Sequence, residues 1–150
     1  MPTVDRGYEL AIAIAERIAA LTDLDASAAR APLHPRSKLT AVKVTVVCRE
    51  EYGDQEGDRS SGTRRWTIDI GVQRSLSGDR DADIYAGAEA AAAVANLWST
   101  DGDGVNGQLV DETLAGADFV KYTWSPRVNP ALLFQFDLFT SVISVEYEAL

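Results

Sequence analysis

Residues 99–112, STDGDGVNGQLVDE, place Asp101, Asp103 and Glu112 at a spacing that suggests a calcium loop. Such a loop takes oxygen ligands at positions 1, 3, 5 and 12, with glycine at 6 for a sharp turn. Counting from Asp101 puts Asp103 and Glu112 at 3 and 12, but Val105 at 5 and Asn106 at 6. Treating Val105 as an insertion brings Asn106 and Gly107 into place and moves Thr113 to position 12. No register supplies every ligand, so the segment reads as a polar, glycine-rich turn leaving a helix, with no metal expected.

Acid–base chemistry has few other carriers. His34 is the only histidine, set between prolines in APLHPRS, which excludes multi-histidine metal sites and paired-histidine mechanisms. Cys48 is the only cysteine, so no intrachain disulfide is possible, and its apolar strand suits a small buried hydrophobe better than a reactive thiol. The chain has no GxSxG elbow, Walker loop, GxGxxG after a strand or CxxC. Carboxylates are plentiful: Glu50 with Glu51, Asp79, Asp81 and Asp83, and Asp111 with Glu112. Solvated turns and helix starts account for each group, and a carboxylate-only glycosidase would need a larger cleft than this chain readily builds. No catalytic residue and no cofactor are expected.

Charge and length bound the remaining options. One domain spanning residues 1–150 is expected, since this length suits a single core. Apolar residues make up 46% and charged residues 25%, an ordinary globular balance. The net charge of −9 argues against non-specific adhesion to phosphate backbones. Neither a signal-peptide layout nor a bilayer-spanning apolar run is seen, so no membrane partner is expected and a cytosolic or assembled location is the default.

The elements that would position these groups follow from periodicity. Asp5 can cap a helix running to about Leu21, with Leu10, Ile14, Ile18 and Leu21 on one face. DLDASAARAPLHPR then reads as a connection. Val42, Val44, Val46 and Cys48 alternate with Lys43 and Thr45; Trp66, Ile68, Ile70 and Val72 alternate with Thr67, Asp69 and Gln73. These form an antiparallel pair joined by a long polar loop, REEYGDQEGDRSSGT. A second helix, capped by Asp81 or Asp83, carries Ile84, Ala88, Ala91, Ala95 and Trp98 on one stripe. Val120, Tyr122 and Trp124 then oppose Lys121 and Thr123. Two apolar series close the chain, Leu132, Phe134, Phe136 and Leu138, then Phe139, Ile143, Val145 and Tyr147, with a bend or bulge between them. The block order predicts an α+β fold: a mainly antiparallel sheet of four to five strands with two helices packed on one face.

Arg59, Arg64 and Arg65 are assigned to the polar loop, nearly balanced by Glu50, Glu51, Asp54, Glu56 and Asp58. Mixed charge of this kind suits a solvated hairpin tip, or an arm that pairs with a neighbouring subunit. The ends of an open sheet are further candidates for association.

The ending FDLFTSVISVEYE resembles the C-terminal strand of the tail-completion (tail terminator or neck) proteins of long-tailed bacteriophages and prophages. The resemblance rests on Phe139, Thr140, Ser141, Val142, Ile143, Val145 and Tyr147, with looser likeness in VKVTVVCRE, WTIDIGVQRSL and DADIYAGAEAAAAVANLW. It implies a subunit, located in the virion and assembled in the host cytoplasm, that forms a ring, typically a hexamer, at the head-proximal end of the tail tube. The ring stops tube polymerisation and joins the tail to the neck. The implied partners are copies of the chain itself, the tail tube protein and the neck or connector protein, with DNA passing through without sequence-specific binding. Family members have no catalytic residues. A negative lumen would help the duplex pass.

Two contact surfaces are expected. One is the loop Arg49 to Arg65, with Arg49, Glu50, Glu51, Arg59, Arg64 and Arg65. The other joins Asp101 and Asp103 to the strand bearing Lys121 and Trp124. Closed cyclic symmetry uses two different patches per subunit, which suits an arm and a receiving surface. The alternatives are a head–tail connector or other minor tail subunit, and a small acidic module that binds a peptide or calcium at the Asp101 turn.

Overall fold

A computed structural model describes residues 5–30, 41–54, 63–76, 79–99, 107–124, 128–131, 133 and 137–149. The element order is α1 (Arg6–Thr22), β1 (Asp25–Ala29), β2 (Lys43–Asp54), β3 (Thr63–Ser75), α2 (Arg80–Ala95), β4 (Asp118–Thr123) and β5 (Leu138–Ala149). The strands form one sheet in the order β1-β2-β3-β5-β4. β1 runs parallel to β2 and every other pairing is antiparallel. The fold is α+β, with a five-stranded, mostly antiparallel sheet.

The first helix starts where its cap dictates. Asp5 has extended backbone angles, and its carboxylate accepts the Tyr8 N–H at 3.0 Å, satisfying one donor that the first turn leaves free. At the other end Asp23 turns left-handed at φ 59 and donates its N–H to Ala19. Leu10, Ala11, Ile14, Ala15 and Ile18 are buried and Leu21 is half-buried, so the predicted stripe is present and broadened by alanine.

β1 corrects the sequence reading, which had a connection there. DASAA lacks the β-branched residues that mark strands, and it pairs with β2 from Asp25↔Lys43 to Ala29↔Val47. Tertiary pairing, reinforced by the Lys43–Asp25 ion pair at 3.0 Å, overrides weak local preference. β2 and β3 also run further than expected, remaining paired out to Asp54↔Thr63. Arg49, Glu50, Glu51, Arg64 and Arg65 therefore lie on strands and not in a loop.

The second helix is capped by Asp79, whose carboxylate accepts the Ala82 N–H at 3.2 Å, and not by Asp81 or Asp83. Asp83 is instead buried and holds Arg74 of β3 at 2.9 Å. The buried stripe is Asp83, Gly87, Ala90, Ala91, Val94 and Ala95; Ala88 is exposed. Gly87 explains that rotation, because a methyl group there would sit 2.5 Å from the Phe139 ring. The helix approaches the sheet at its glycine.

Both helices cover the same face. Gly7 of α1 abuts Cys48 and Trp66, Gly87 of α2 abuts Phe139, and the strand registers place these three side chains on one side. That side also carries Val44, Val46, Ile68, Ile70, Val72, Ile143, Val145 and Tyr147, all buried. Trp66, Trp98, Phe139 and Tyr147 are among the largest buried side chains, each removing roughly 4–6 kcal/mol worth of apolar surface from water before entropy is counted. In β4, a register shift between Phe119 and Lys121 leaves Val120 out of step. Phe119, Tyr122 and Trp124 are then the residues that meet the core, in place of the predicted Val120, Tyr122 and Trp124.

Candidate functional site

The face opposite the helices divides into two parts. At one end Thr45, Val47, Gln73 and Thr140 are buried. At the other a groove of about 390 Å³ opens, lined by Arg49, Glu50, Tyr52, Thr67, Lys121, Thr123, Ser144 and Glu146 from β2, β3, β4 and β5. Alternation accounts for most of this membership: Thr67 pairs with Glu146, and Thr123 with Ser144, so these side chains rise on the side away from the helices.

A second irregularity completes the groove. The register of β2 shifts between Cys48 and Glu50, which makes Arg49 the extra residue of a bulge. Before the bulge Cys48 faces the helices; after it Glu50 stands opposite Thr67 and faces the groove. Without that shift the even-numbered residues of β2 would all lie beneath α1.

The groove is bound together by charge. Arg49 Nε lies 2.9 Å from Asp69 Oδ2, and its Nη1 lies 3.2 Å from Glu50. Ser144 donates to the other Asp69 oxygen at 2.7 Å. Lys121 Nζ lies 3.2 Å from Glu146 Oε2, and the Tyr52 hydroxyl donates to Glu146 Oε1 at 2.9 Å. The Tyr52 bond, with help from Lys121, lowers the Glu146 pKa below the ordinary glutamate value, against the opposing effect of its burial. The carboxylates lie deep, with side chains 18% exposed at Asp69 and 17% at Glu146. Their cations stand above them, 49% exposed at Arg49 and 67% at Lys121. The groove therefore presents two cationic heads over sunken acids, with the exposed carboxylate of Glu50 beside Arg49.

A smaller notch of about 220 Å³ lies where β1 ends beside the start of α1, lined by Asp5, Tyr8, Ala29, Arg30, Cys48, Arg49, Glu50 and Glu51. Arg30 bonds Asp5 at 2.7 Å and stacks 4.0 Å over the Tyr8 ring, fastening the strand end to the helix start. Burial, followed by the nearby Glu51, Asp5 and Asp69 charges, pushes the Cys48 thiol up to about 11, which leaves little thiolate at neutral pH.

Chemically, the groove can bind by hydrogen bonds and charge. Ser144 spends its proton on Asp69, and the other oxygen of that carboxylate faces Arg49. No cluster of three or more metal-ligating side chains occurs among the described residues. No described helix is long and apolar enough to cross a membrane.

Of the residues singled out in the sequence, Arg49, Glu50 and Lys121 come together in the groove, although they were assigned to two separate surfaces. Glu51 reaches Arg64 at 3.8 Å on the β2–β3 arm, and Arg65 pairs with Glu148 at 3.3 Å. Trp124 is half-buried and donates to Ser141 at 2.7 Å, so it turns to the core. Arg59, Asp101 and Asp103 lie outside the described residues, as do His34, Leu132, Phe134 and Phe136. Glu112 pairs with Arg17 of α1 at 3.1 Å. Sequence reasoning missed Tyr52, Thr67, Thr123, Ser144 and Glu146; strand alternation was the available signal for Ser144 and Glu146 on β5 and for Thr67 on β3, whereas the bulge at Arg49 hid Tyr52.

No protein-family model matches the sequence, and no curated protein matches it. Among solved structures, a chain of a "Virion of native gene transfer agent (GTA) particle" is similar over 98% of this chain and 100% of that one. The two share 18% identity at a TM-score of 0.48, too slight a likeness to bear on function.

Proposed function

We propose that this chain is a structural subunit of a phage or phage-derived virion, a tail-completion protein that forms a ring on the tail tube and joins it to the neck. The observation that carries the reading is the double role of β5. The strand whose residues resemble the tail-completion family lies between β3 and β4, with Phe139, Ile143, Val145 and Tyr147 in the core. Its alternate residues Ser144 and Glu146 build the groove on the open face. The segment that carries the resemblance thus both completes the fold and shapes the exposed binding surface.

Electrostatics supports the same reading. Among the described residues every lysine and arginine lies in an ion pair except Arg6, which lies 5.3 Å from the Trp66 ring centre. With a net charge of −9, such a surface offers passing DNA little to adhere to. The subunit acts by association and not by turnover.

Purified protein added to growing tail tubes of its own particle tests this. Arrest of elongation, with a collar at one end in electron micrographs, is the expected result. Unchanged growth, or label along the tube wall, would reject the reading. Label on the head side of the neck would favour the connector alternative.

A further inference from the structure

The two edges of the sheet differ, and they match. Among the described residues no strand pairs with the outer side of β1 or of β4, which end the order β1-β2-β3-β5-β4. Followed across the sheet, the pairings make β1 antiparallel to β4. When copies stand side by side with their helices on one side, β4 of one therefore meets β1 of the next in the antiparallel sense. α1 lies over β1 and β2 and α2 over β3 and β5, so β4 projects beyond both helices. Phe119 and Tyr122, on the helix side of β4, are only half-buried.

The phases of the two strands agree over the whole of β1. β4 has six residues, but its register shift leaves Val120 as the extra residue of a bulge. Five residues remain in phase, as many as β1 has. On the helix side, Ala26 and Ala28 then come opposite Tyr122 and Phe119, small side chains against half-buried rings. On the open side, Asp25, Ser27 and Ala29 come opposite Thr123, Lys121 and Asp118, and Asp118 falls one residue from Arg30. A bulge and an outward lysine ordinarily block edge pairing. Here they reject a regular six-residue strand and leave a fit for this one. Charge alternates across the seam: Glu146 and Lys121 of one copy, then Asp25 and Lys43 of the next, two acids with two cations. Lys121 and Asp25 are diagonal neighbours there, 67% and 74% exposed, so each can reach the other.

We infer that β4 of one copy pairs antiparallel with β1 of a second copy, from Asp25 opposite Thr123 to Ala29 opposite Asp118, making one sheet continuous across the subunits. The two edges are different, so the contact is heterologous and propagates head to tail, as ring formation requires. The inference rests on the proposed self-assembly and names its interface. Main-chain hydrogen bonds supply the affinity, while the alanine–aromatic neighbours and the Lys121–Asp25 pair fix the register.

Cross-linking of the full chain, with circular dichroism to verify folding, provides the test. Directly opposed residues of an antiparallel pair have Cα atoms about 4.5–5.5 Å apart, within disulfide reach. In a Cys48→Ser background, S27C/K121C in one chain is expected to give a ladder of covalent multimers on mild oxidation. D25C/T123C, the adjacent opposed pair, gives the same ladder without touching Lys121. S27C or K121C alone stays monomeric on a denaturing gel, and mixing these two proteins yields a cross-linked dimer and nothing larger. In sedimentation, S27K sets like charges opposite each other and weakens self-association about threefold, whereas S27E does not weaken it. Disulfide-linked dimers in either single variant overturn the inference, since they report like edges meeting. Absence of both ladders from protein that is associated in solution also overturns it and leaves the ring proposal standing. Wild-type protein that stays monomeric at millimolar concentration overturns it too, and tube capping then decides the ring proposal separately.

Discussion

The Trp98 indole donates to the Tyr147 hydroxyl at 2.8 Å inside the core. Burial pushes the Tyr147 pKa up from 10.0 to about 12, only partly offset by that bond. A phenol held neutral by the fold stabilises it fully below pH 10, where the unfolded chain is neutral too. That contribution falls as pH rises through the window from 10 to about 12, by about 3 kcal/mol. Urea titrations of wild type and Tyr147→Phe over this window are expected to show a steeper alkaline loss for wild type. At neutral pH the variant is less stable by about 1–3 kcal/mol, because the Trp98 N–H loses its acceptor. Gly87→Ala should cost about 1–3 kcal/mol through collision with Phe139, and Phe139→Leu in the same chain should recover part of that. Thermal melts measure both.

At the scale of elements, the three aspartates around the start of α2 should differ sharply. Asp79→Ala removes the cap and should cost about 1 kcal/mol, whereas Asp81→Ala on the exposed side should change stability within about 0.5 kcal/mol. Asp83→Ala leaves half-buried Arg74 without its 2.9 Å partner and should cost the most. Chemical denaturation ranks them. The sequence reading placed the cap at Asp81 or Asp83, beyond the true cap Asp79, because a cap is chosen by where the backbone leaves the extended conformation. The alanine-rich helix likewise gave little indication of which side it buries, since its small residues recur on every side. Gly87 was the informative residue. By contrast, α1, β2 and β3 were readable from spacing alone, their apolar residues recurring at helical or strand period. β1 was not, since its alanines become a strand only through pairing with β2. The groove was half readable: Arg49, Glu50 and Lys121 drew notice and Glu146 did not, and two bulges, at Arg49 and Val120, set which of their neighbours share its face.

For the whole molecule, the backbone pairing Asp54↔Thr63 marks where β2 and β3 still run side by side. Replacing residues 55–62 by Asn-Gly should close a two-residue hairpin there without disturbing the sheet. Unchanged circular dichroism and melting temperature are the expected outcome, with self-association then reporting whether the arm contributes to assembly. A calcium titration of the full chain should give no stoichiometric heat; a saturable heat would restore the metal-binding alternative at the Asp101 turn. The strand order has a further consequence for biogenesis. β5 follows the other four described strands in the chain, yet it lies between β3 and β4. Until it emerges from the ribosome, β4 has no neighbour to zip onto, and the flank of β3 stays bare. Nascent or prematurely stopped chains thus present a sticky border to chaperones and to one another. The sheet can close only after residues 138–149 have been made.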